Sequence, residues 1–471
     1  MSADPTPIAT AAAPDIRPAR LQRAEYEQHF SDASPPLTRG QALLEAERCL
    51  YCFDAPCTTA CPTGIDVPSF IRRIADDNLR GAARVILDAN PLGGTCARVC
   101  PTEVLCEQVC VRVAQQGKPV EIGRLQRVAV DSVMGQPASV VLPRAAPSGK
   151  RVAVIGAGPA GLACAVVLAR HGHQVVLHDA RSKGGGLNEY GLASYKVPDD
   201  FAQTELNWLI GIGGITLQTG WRLADAVQLA ALRTEYAAIY LAIGLGGTPA
   251  LGIPGEDLGG VRDAIDFIAE LRQTADKSSL PIGRRVVVIG GGMTAVDAAV
   301  QSKLLGAESV HMVYRRGAEH MGASAAEQDW AQTHGVVLHH WLAPEAVLAG
   351  DAAGDAASGG AGHGSTSGHA VAVRFARQAM KGDKLQATGE HETLAADMVL
   401  KAIGQKLNAA ALDGFGLTLS GGRIVADDDG RTGVPGLYAG GDCRLGGRDL
   451  TVEAVQDGKR AALAIHAQLL G

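Results

Sequence analysis

The 471-residue sequence lacks the charge and the aromatic content of a nucleic-acid-binding protein. Its 49 acidic residues outnumber its 43 basic ones, and aromatic residues make up only 4% of the chain. Proteins that bind nucleic acid or an anionic membrane normally carry a basic excess, and those that bind single strands stack the bases on aromatic rings. We therefore expect neither kind of partner.

The sequence also lacks any run of roughly 18 apolar residues, the length that a membrane-spanning helix requires. Its first residues, MSADPTPIATAAAPDIRPAR, contain no apolar core behind a basic start, so they do not resemble a secretory signal. We expect a soluble, cytoplasmic protein. At the usual domain size, the length allows about three domains.

Cysteine is distributed very unevenly along the chain. Eight of the ten cysteines lie between Cys49 and Cys110, and only Cys164 and Cys443 follow them. In a secreted protein such a group could form disulfides, but no export signal precedes it. Thiolates that hold metal are therefore the better interpretation, and we expect Cys164 to be a packed core thiol.

The eight cysteines form two runs, Cys49-x2-Cys52-x4-Cys57-x3-Cys61-Pro62 and Cys96-x3-Cys100-Pro101-x4-Cys106-x3-Cys110. Closely spaced thiolates can surround one iron–sulfur cubane, and a cysteine followed by proline often binds the neighbouring cluster. The runs predict two 4Fe–4S clusters whose ligands cross between the runs. Zinc is the alternative, although zinc sites usually present well-separated C-x2-4-C pairs.

Two glycine-rich loops each follow an apolar strand and precede a helical pattern. The first is Gly156-x-Gly158-x-x-Gly161, and the strand after it ends at Asp179, 21 residues beyond Gly158. This is the dinucleotide-binding pattern, in which the loop approaches the pyrophosphate and the acid binds an adenosine ribose. A glycine-rich turn without a ligand is the alternative.

The second loop is Gly290-x-Gly292-x-x-Ala295, and the strand after it ends in Arg315-Arg316 instead of an acid. A guanidinium in this position can bind the 2′-phosphate of NADP, whereas an acid favours NAD. We therefore favour NADP, with NAD and a pair of solvated surface arginines as alternatives. Near the C-terminus, a short strand ends at Gly441-Asp442, and a helix begins at Thr451. Its N-terminus could stabilise a reduced flavin, whereas Asp442 could also be an ordinary capping aspartate.

From about residue 40 to 470 the sequence resembles the electron-input modules of two related families. These are the NAD(P)H/FAD subunit of bacterial dihydropyrimidine dehydrogenase and the small subunit of glutamate synthase. The matching segments are RCLYCFDAPCTTACPTGID, NPLGGTCARVCPTEVLCEQVC, IGRLQR, VIGAGPAGLA, GGGMTAVDAA, YRR and YAGGD. Gln126 within GRLQR favours the dihydropyrimidine family, because glutamate synthase small subunits more often have an acid there.

The resemblance implies the ligands of two clusters. The first set is Cys49, Cys52, Cys57 and Cys110, and the second is Cys61, Cys100, Cys106 and Gln126. This leaves Cys96 as a spare thiol, whereas chemistry alone would choose Cys96 over an amide, so both alternatives stay open.

The resemblance also assigns the nucleotide-binding residues. Those of FAD would be Gly156, Gly158, Pro159, Ala160, Gly161, Asp179, Gly185, Gly186, Leu187, Lys196, Gly441, Asp442 and Thr451. Those of the nicotinamide nucleotide would be Gly290, Gly292, Met293, Thr294, Ala295, Arg315, Arg316, Ala402 and Gly404.

Helical spacing dominates before residue 148, including helices at about 68–77 and 79–89, and no segment there alternates as a strand. The expected fold is an α-helical iron–sulfur domain followed by two α/β Rossmann-like domains, the second inserted in the first. The expected boundaries are a disordered segment at 1–36, the cluster domain at 37–148, the FAD domain at 149–255 and 403–471, and the NAD(P) domain at 256–402. A low-complexity insertion is expected at 349–369.

The function implied by the resemblance is an oxidoreductase that oxidises NAD(P)H at FAD and passes electrons singly through two clusters. Since flavin and clusters carry that chemistry, we expect no catalytic acid, base or nucleophile. The acceptor would be an FMN/iron–sulfur subunit that reduces uracil or thymine, or the glutamate synthase large subunit, in a hetero-oligomer. A remote alternative is a zinc-stabilised scaffold protein.

Overall fold

The computed structural model describes residues 14–350, 368–382 and 384–470, so most of the insertion expected at 349–369 lies outside the described residues. The α-helices are α1 Arg23–His29, α2 Arg39–Glu47, α3 Pro56–Ala60, α4 Val67–Ala75, α5 Leu79–Ala89, α6 Gly93–Val99, α7 Val111–Gln116, α8 Ile122–Asp131, α9 Ala138–Val141, α10 Pro159–Arg170, α11 Leu187–Tyr190, α12 Phe201–Ile210, α13 Ala226–Glu235, α14 Ala264–Gln273, α15 Met293–Leu304, α16 Ala325–Thr333 and α17 Thr451–Leu470.

The strands are β1 Ile16–Arg17, β2 Arg151–Ile155, β3 Gln174–His178, β4 Ile215–Gln218, β5 Ala238–Leu241, β6 Val261–Asp263, β7 Ile282–Gly283, β8 Arg285–Ile289, β9 Ser309–Tyr314, β10 Val336–His340, β11 Leu342–Gly350, β12 His369–Lys381, β13 Lys384–Ala395, β14 Met398–Lys401, β15 Leu419–Ser420, β16 Arg423–Ile424 and β17 Leu437–Ala439. Short 3-10 helices lie at Thr102–Val104, Lys277–Ser279, Ala318–His320, Ala409–Leu412 and Gly441–Cys443. None of the helices in the described ranges is long and apolar enough to cross a membrane.

The chain divides into two compact units. The first contains Asp32–Gly247 and Lys406–Gly471, and the second contains Met1–Ser31 and Thr248–Gln405.

In the first unit, residues 37–148 form helices and no strand, as predicted. The helices expected at 68–77 and 79–89 are α4 and α5, and each begins at a side-chain cap. Asp66 accepts a hydrogen bond from the backbone of Ser69 at 3.0 Å, and Asn78 accepts one from Gly81 at 2.9 Å. The apolar faces of α4, α5 and α8 bury Phe70, Ile71, Ile74, Ile86, Leu87 and Leu125 in one core.

The first unit also contains a parallel sheet of order β17-β5-β2-β3-β4. Its central strand β2 runs directly into the first glycine loop, and α10 follows the loop and packs against α17. Because the carboxyl ends of parallel strands meet at one edge, the loops after β2, β3 and β17 lie at the same edge of the sheet.

The second unit has its own parallel sheet, of order β10-β9-β8-β14-β6, and a three-stranded antiparallel sheet, β11-β12-β13. Strand β8 runs into the second glycine loop, and α15 follows that loop. The loops after β8, β9 and β14 share the carboxyl edge of this sheet.

The prediction of a disordered segment over 1–36 is wrong for the part of that segment that the structure describes. Strand β1 pairs antiparallel with β7, and α1 follows it. The hydroxyl of Tyr26, a buried residue, donates a hydrogen bond to the carbonyl of Leu305 at 3.4 Å. The expectation of no strand before residue 148 is therefore also wrong at β1. Sequence analysis could not detect this strand, because two residues are too few to show an alternating pattern. Residues 1–13 lie outside the description.

Candidate metal and nucleotide sites

The first predicted set of cluster ligands comes together in the structure. Cys49 and Cys52 follow α2, Cys57 lies in α3, and Cys110 precedes α7, yet all four line one cavity. Its remaining lining is mainly apolar and includes Pro56, Val67, Pro68, Ile71, Val111 and Ile122. Four thiols around an apolar cavity form a donor set that suits an iron–sulfur cluster.

The backbone around this cavity is shaped to support thiolate ligands. Tyr51 and Ala55 have φ angles of 51° and 38°, in the left-handed region that non-glycine residues seldom adopt. They lie between Cys49 and Cys57, within the first cysteine run. Backbone N–H groups donate to the sulfur atoms, from Tyr51 to Cys49 and from Val120 to Cys110, each at 3.5 Å. Such bonds stabilise negative charge on metal-bound sulfur.

The three cysteines of the second predicted set also lie near one another. The pKa of Cys100 is raised by its hydrogen bond to Cys96 and by burial, and further by the nearby charges of Cys106 and Cys61. The pKa of Cys106 is raised by burial and also by Cys61 and Cys57. Cys57 belongs to the first set, so the two sets are neighbours.

The two candidates for the fourth ligand of the second set, Cys96 and Gln126, both contact or belong to α6. Cys96 is a buried residue of α6 and is hydrogen-bonded to Cys100. Gln126 on α8 is buried and donates through Nε2 to the carbonyl of Gly93 at 2.7 Å. Within the described ranges, the Oε1 atom of Gln126 accepts no hydrogen bond. A thiol and an amide oxygen are therefore both available.

Burial favours the protonated thiol at two of the first-set ligands, Cys57 and Cys49. It raises the pKa of Cys57 to about 11 and also raises the pKa of Cys49. Metal binding would have to displace these protons, as is general for cysteine ligands. In the part of the chain that the structure describes, no three His, Cys, Asp or Glu side chains converge as the ligands of a single ion would.

The first glycine loop has the close contacts that its sequence predicts. Gly156 has a φ of 106°, and a Cβ there would collide with the carbonyl oxygen of Ala242. Gly158 caps α10, and Pro159 is the first residue of the helix. The carboxylate of Asp179, at the end of β3, accepts from the backbone of Ala157 at 2.8 Å and from Arg181 at 2.9 Å. Asp179 thus holds the loop in place.

Three distant segments join this loop at the start of α10. The backbone of Gly185 donates to the carbonyl of Ala157 at 2.8 Å, and Leu187 then begins α11. A Cβ on Gly441 would lie 2.9 Å from the Cβ of Ala160. The hydroxyl of Thr451, the first residue of α17, donates to Asn188 of α11 at 3.0 Å. Four chain segments thus surround the helix N-terminus.

Asp442 and Lys196 complete the predicted flavin residues. Burial, reinforced by Asp449, raises the pKa of Asp442 to about 6. The side chain of Asp442 accepts no hydrogen bond from the described residues, so the alternative of a capping aspartate has no support. Lys196 lies in the turn after α11, where its backbone donates to Ala193 at 3.1 Å.

The second glycine loop repeats the arrangement in the other unit. A Cβ on Gly290 would collide with the carbonyl oxygen of Ala402, which follows β14. Gly292 caps α15, so Met293, Thr294 and Ala295 form its first turn, and Gly404 follows Ala402 with a φ of 96°. Such a helix N-terminus favours a phosphate.

Arg315 and Arg316 follow β9 at the same edge as this loop. Both side chains are exposed, and within the described ranges neither makes an ion pair or a hydrogen bond. Their guanidinium groups are therefore free to bind a phosphate.

Sequence reasoning missed two charged side chains that link the cysteine-bearing helices to the first nucleotide sheet. Glu205 on α12 accepts hydrogen bonds from the backbones of Gly94 and Thr95 in α6, at 2.8 and 3.0 Å. Lys459 on α17 donates to the carbonyls of Thr63 and Ala89, at 2.8 and 2.9 Å. No sequence signal marks either residue, because their partners lie far away along the chain.

Comparison with protein families matches both parts of the chain. Residues 26–137 match the family described as dihydropyrimidine dehydrogenase domain II, 4Fe-4S cluster. Residues 150–358 and 363–458 match the family described as pyridine nucleotide-disulphide oxidoreductase.

Similar proteins support the same grouping. The chain is 33% identical to the NAD-dependent dihydropyrimidine dehydrogenase subunit PreT of Salmonella typhimurium, over 94% of this chain and 98% of that protein. It is 31% identical to the glutamate synthase (NADPH) small chain of Escherichia coli, over 95% of each chain. The structure of FprA from Mycobacterium tuberculosis in complex with NADPH has a TM-score of 0.53 at 18% identity, covering 68% of this chain and 85% of FprA. That last likeness concerns the fold alone, whereas the sequence matches confirm the resemblance noted above.

Proposed function

Since the chain belongs to the family of PreT subunits of NAD-dependent dihydropyrimidine dehydrogenase, and is an iron–sulfur, pyridine-nucleotide-dependent oxidoreductase, we propose that it is the electron-input subunit of such an enzyme. Bound FAD would accept a hydride from NAD(P)H and release its electrons one at a time to the clusters. The residues of this chain bind and orient these groups and adjust their potentials.

The observation that carries this proposal is the common location of the cysteines and the first nucleotide loop. Both cysteine sets and the loop that begins at Gly156 belong to one compact unit. Lys459 and Glu205 connect them through four hydrogen bonds of 3.0 Å or less. A rigid connection of this kind suits electron transfer between fixed centres.

We assign the metal ligands as two crossed sets. The first is Cys49, Cys52, Cys57 and Cys110, which line one cavity. The second is Cys61, Cys100 and Cys106, with the free Oε1 of Gln126 as the fourth ligand and Cys96 as the alternative. The neighbouring position of Cys57 and Cys106 supports exchange of electrons between the sets.

We assign FAD to the loops around the N-terminus of α10 and the nicotinamide nucleotide to those around α15. In this assignment the NAD(P) domain, 256–402, is inserted in the FAD domain, 149–255 and 403–471. The membership of β17 in the sheet of β2 supports the insertion, because β6, β8, β9 and β14 intervene in the chain.

We place the Cys61 set on the flavin side and the Cys49 set on the side of the acceptor. Thr63, two residues after Cys61, is bonded to Lys459 on α17, and Gly94, two residues before Cys96, is bonded to Glu205 on α12. Both helices belong to the unit that contains the first nucleotide sheet. The cavity of the Cys49 set is lined only by residues of the helical segment, and beside it Phe53 is fully exposed and Leu50 is 41% exposed. We assign these two side chains to the surface that binds the acceptor subunit.

The acceptor in this proposal is a separate FMN/iron–sulfur subunit that reduces uracil or thymine, in a hetero-oligomer. Gln126 within GRLQR favours this partner. The second candidate is the large subunit of glutamate synthase, which the similarity to the small chain of Escherichia coli favours.

Anaerobic spectroscopy tests the proposal. The purified chain should contain flavin, iron and acid-labile sulfide, and its visible absorption should bleach when NADPH or NADH is added. Adding the dihydropyrimidine-type partner and uracil should restore the oxidised spectrum, whereas the glutamate synthase large subunit with its substrates should not.

The reverse pattern with the two partners would favour glutamate synthase. A colourless protein with zinc and without sulfide, even after reconstitution with iron, sulfide and FAD, would contradict both candidates.

A further inference from the structure

Lys459 connects the helix at the predicted flavin site to the second cysteine set. Helix α17 begins at Thr451, beside α11, and Lys459 is eight residues further along. At 1.5 Å per residue, the two positions are about 12 Å apart along one continuous helix. A single rigid element therefore spans the distance between the two predicted sites.

The ammonium group of Lys459 is half-buried and directed at the backbone next to Cys61. Two of its three N–H groups donate to the carbonyls of Thr63 and Ala89, at 2.8 and 2.9 Å. The third has no acceptor among the residues that the structure describes. That third N–H could be donated to water or, once a cluster is bound, to one of its sulfur atoms.

Thr63 connects Lys459 to Cys61, which lies two residues earlier in the chain. The hydroxyl of Thr63 is 3.3 Å from the sulfur of Cys61, and the carbonyl of the same threonine binds Lys459. Burial lowers the pKa of Lys459, and the negative charge of the Cys61 thiolate partly offsets this shift. Cys61 belongs to the second set assigned above.

We propose that Lys459 raises the reduction potential of the cluster held by Cys61 and fixes that cluster's position relative to α17. A half-buried positive charge stabilises the extra negative charge of a reduced cluster, because little solvent screens it. A donor to a cluster sulfur acts in the same direction. The electron-accepting centre next to the flavin would thus be easier to reduce. This inference rests on the proposed function, since it requires that Cys61 hold a cluster.

The test is a redox titration of the reconstituted full chain, followed by electron paramagnetic resonance. Lys459→Met keeps the length of the side chain but removes its charge and its donors. We expect one cluster signal to shift to lower potential, the other to stay, and the flavin potential to stay. Lys459→Arg should keep the wild-type potential or come close to it, because its charge remains.

Arg460→Met is the matched control, because it removes a positive charge from the next residue of the same helix. Arg460 is exposed, and its Nη1 lies 3.7 Å from Oδ2 of Asp428, so solvent screens its charge. We expect both cluster potentials to be unchanged in this variant. If Lys459→Met does not fold, Lys459→Gln, which is neutral but retains donors, takes its place.

Equal cluster potentials in the wild type and in the neutral Lys459 variants would overturn the inference while leaving the proposed function intact. A shift in Arg460→Met as large as that in Lys459→Met would also overturn it, since any charge on the helix would then suffice. A wild-type protein without cluster signals would instead contradict the proposed function.

Discussion

Arg315 and Arg316 are the residues with the clearest freedom to bind a ligand. Both side chains are exposed at the carboxyl edge of the second sheet, and neither makes an ion pair or a hydrogen bond in the described ranges. PreT of Salmonella typhimurium is named as NAD-dependent and the glutamate synthase small chain as NADPH-dependent, so similarity alone does not choose the nucleotide. The choice depends on whether these guanidinium groups contact a 2′-phosphate.

We predict that Arg315→Ala and Arg316→Ala each raise the KM for NADPH about 10- to 100-fold. This factor corresponds to the loss of one charge-assisted hydrogen bond to the 2′-phosphate. The KM for NADH should change much less, because NADH has no 2′-phosphate. Steady-state reduction of a dye by each nucleotide measures this. Arg374→Ala, an exposed arginine of β12 paired with Glu345, is the control. A wild type that prefers NADH, with equal effects of the substitutions on both nucleotides, would contradict the prediction.

At the scale of elements, Glu205 joins α12 to the N-terminus of α6. Its carboxylate accepts hydrogen bonds from the backbones of Gly94 and Thr95 and from the hydroxyl of Thr95. Burial nevertheless raises the pKa of Glu205 to about 7, against 4.5 for an ordinary glutamate. The folded protein therefore binds this proton more tightly than the unfolded chain does.

The sign of the pH dependence follows from linkage. This group stabilises the fold at low pH, and that contribution is lost as the pH rises from 4.5 through about 7. The loss is at most on the order of 3 kcal/mol. We predict that Glu205→Gln, which does not ionise, reduces the fall in Tm between pH 5.5 and pH 8.

Thermal unfolding followed by circular dichroism at the two pH values measures this effect. Glu235→Gln, at an exposed position on α13, should keep the wild-type pH dependence. If Tm falls by the same amount between pH 5.5 and pH 8 in Glu205→Gln and in the wild type, ionisation of Glu205 does not contribute to the pH dependence of stability.

In the whole molecule, the proposed electron path runs from the nucleotide sites through the Cys61 set to the Cys49 set. Two activities should therefore depend on different parts of this path. Reduction of a small dye by NAD(P)H requires the nucleotide sites, whereas delivery to the partner subunit requires the Cys49 set as well. We predict that Cys52→Ser retains dye reduction, loses the iron of one cluster, and loses most electron transfer to the partner. Cys52 lines the cavity beside the exposed Phe53, so its loss affects the exit side.

Iron content, dye reduction and uracil reduction with the partner measure the three effects. Cys164→Ala is the control, because this buried thiol of α10 belongs to neither set. Full uracil reduction by Cys52→Ser would exclude the Cys49 set from the path.

The classes of group that this protein binds could be predicted from its sequence alone. Each glycine loop and each cysteine run is continuous in the chain, and its spacing reflects the local geometry that a phosphate or a cluster needs. The helices α4 and α5 were likewise predictable, since their apolar spacing and their caps at Asp66 and Asn78 are local.

The connections between these parts depend on three-dimensional packing and could not be predicted in the same way. Strand β1 escaped sequence analysis, because its two residues are held by a partner strand at Ile282–Gly283. That Cys110 and Cys49 line the same cavity could be inferred only from the resemblance to a related family. The bond from Lys459 to Thr63 joins residues 396 positions apart and could not be inferred at all. Such contacts depend on how helices pack, and the pattern of apolar residues specifies which face is buried without specifying what lies against it.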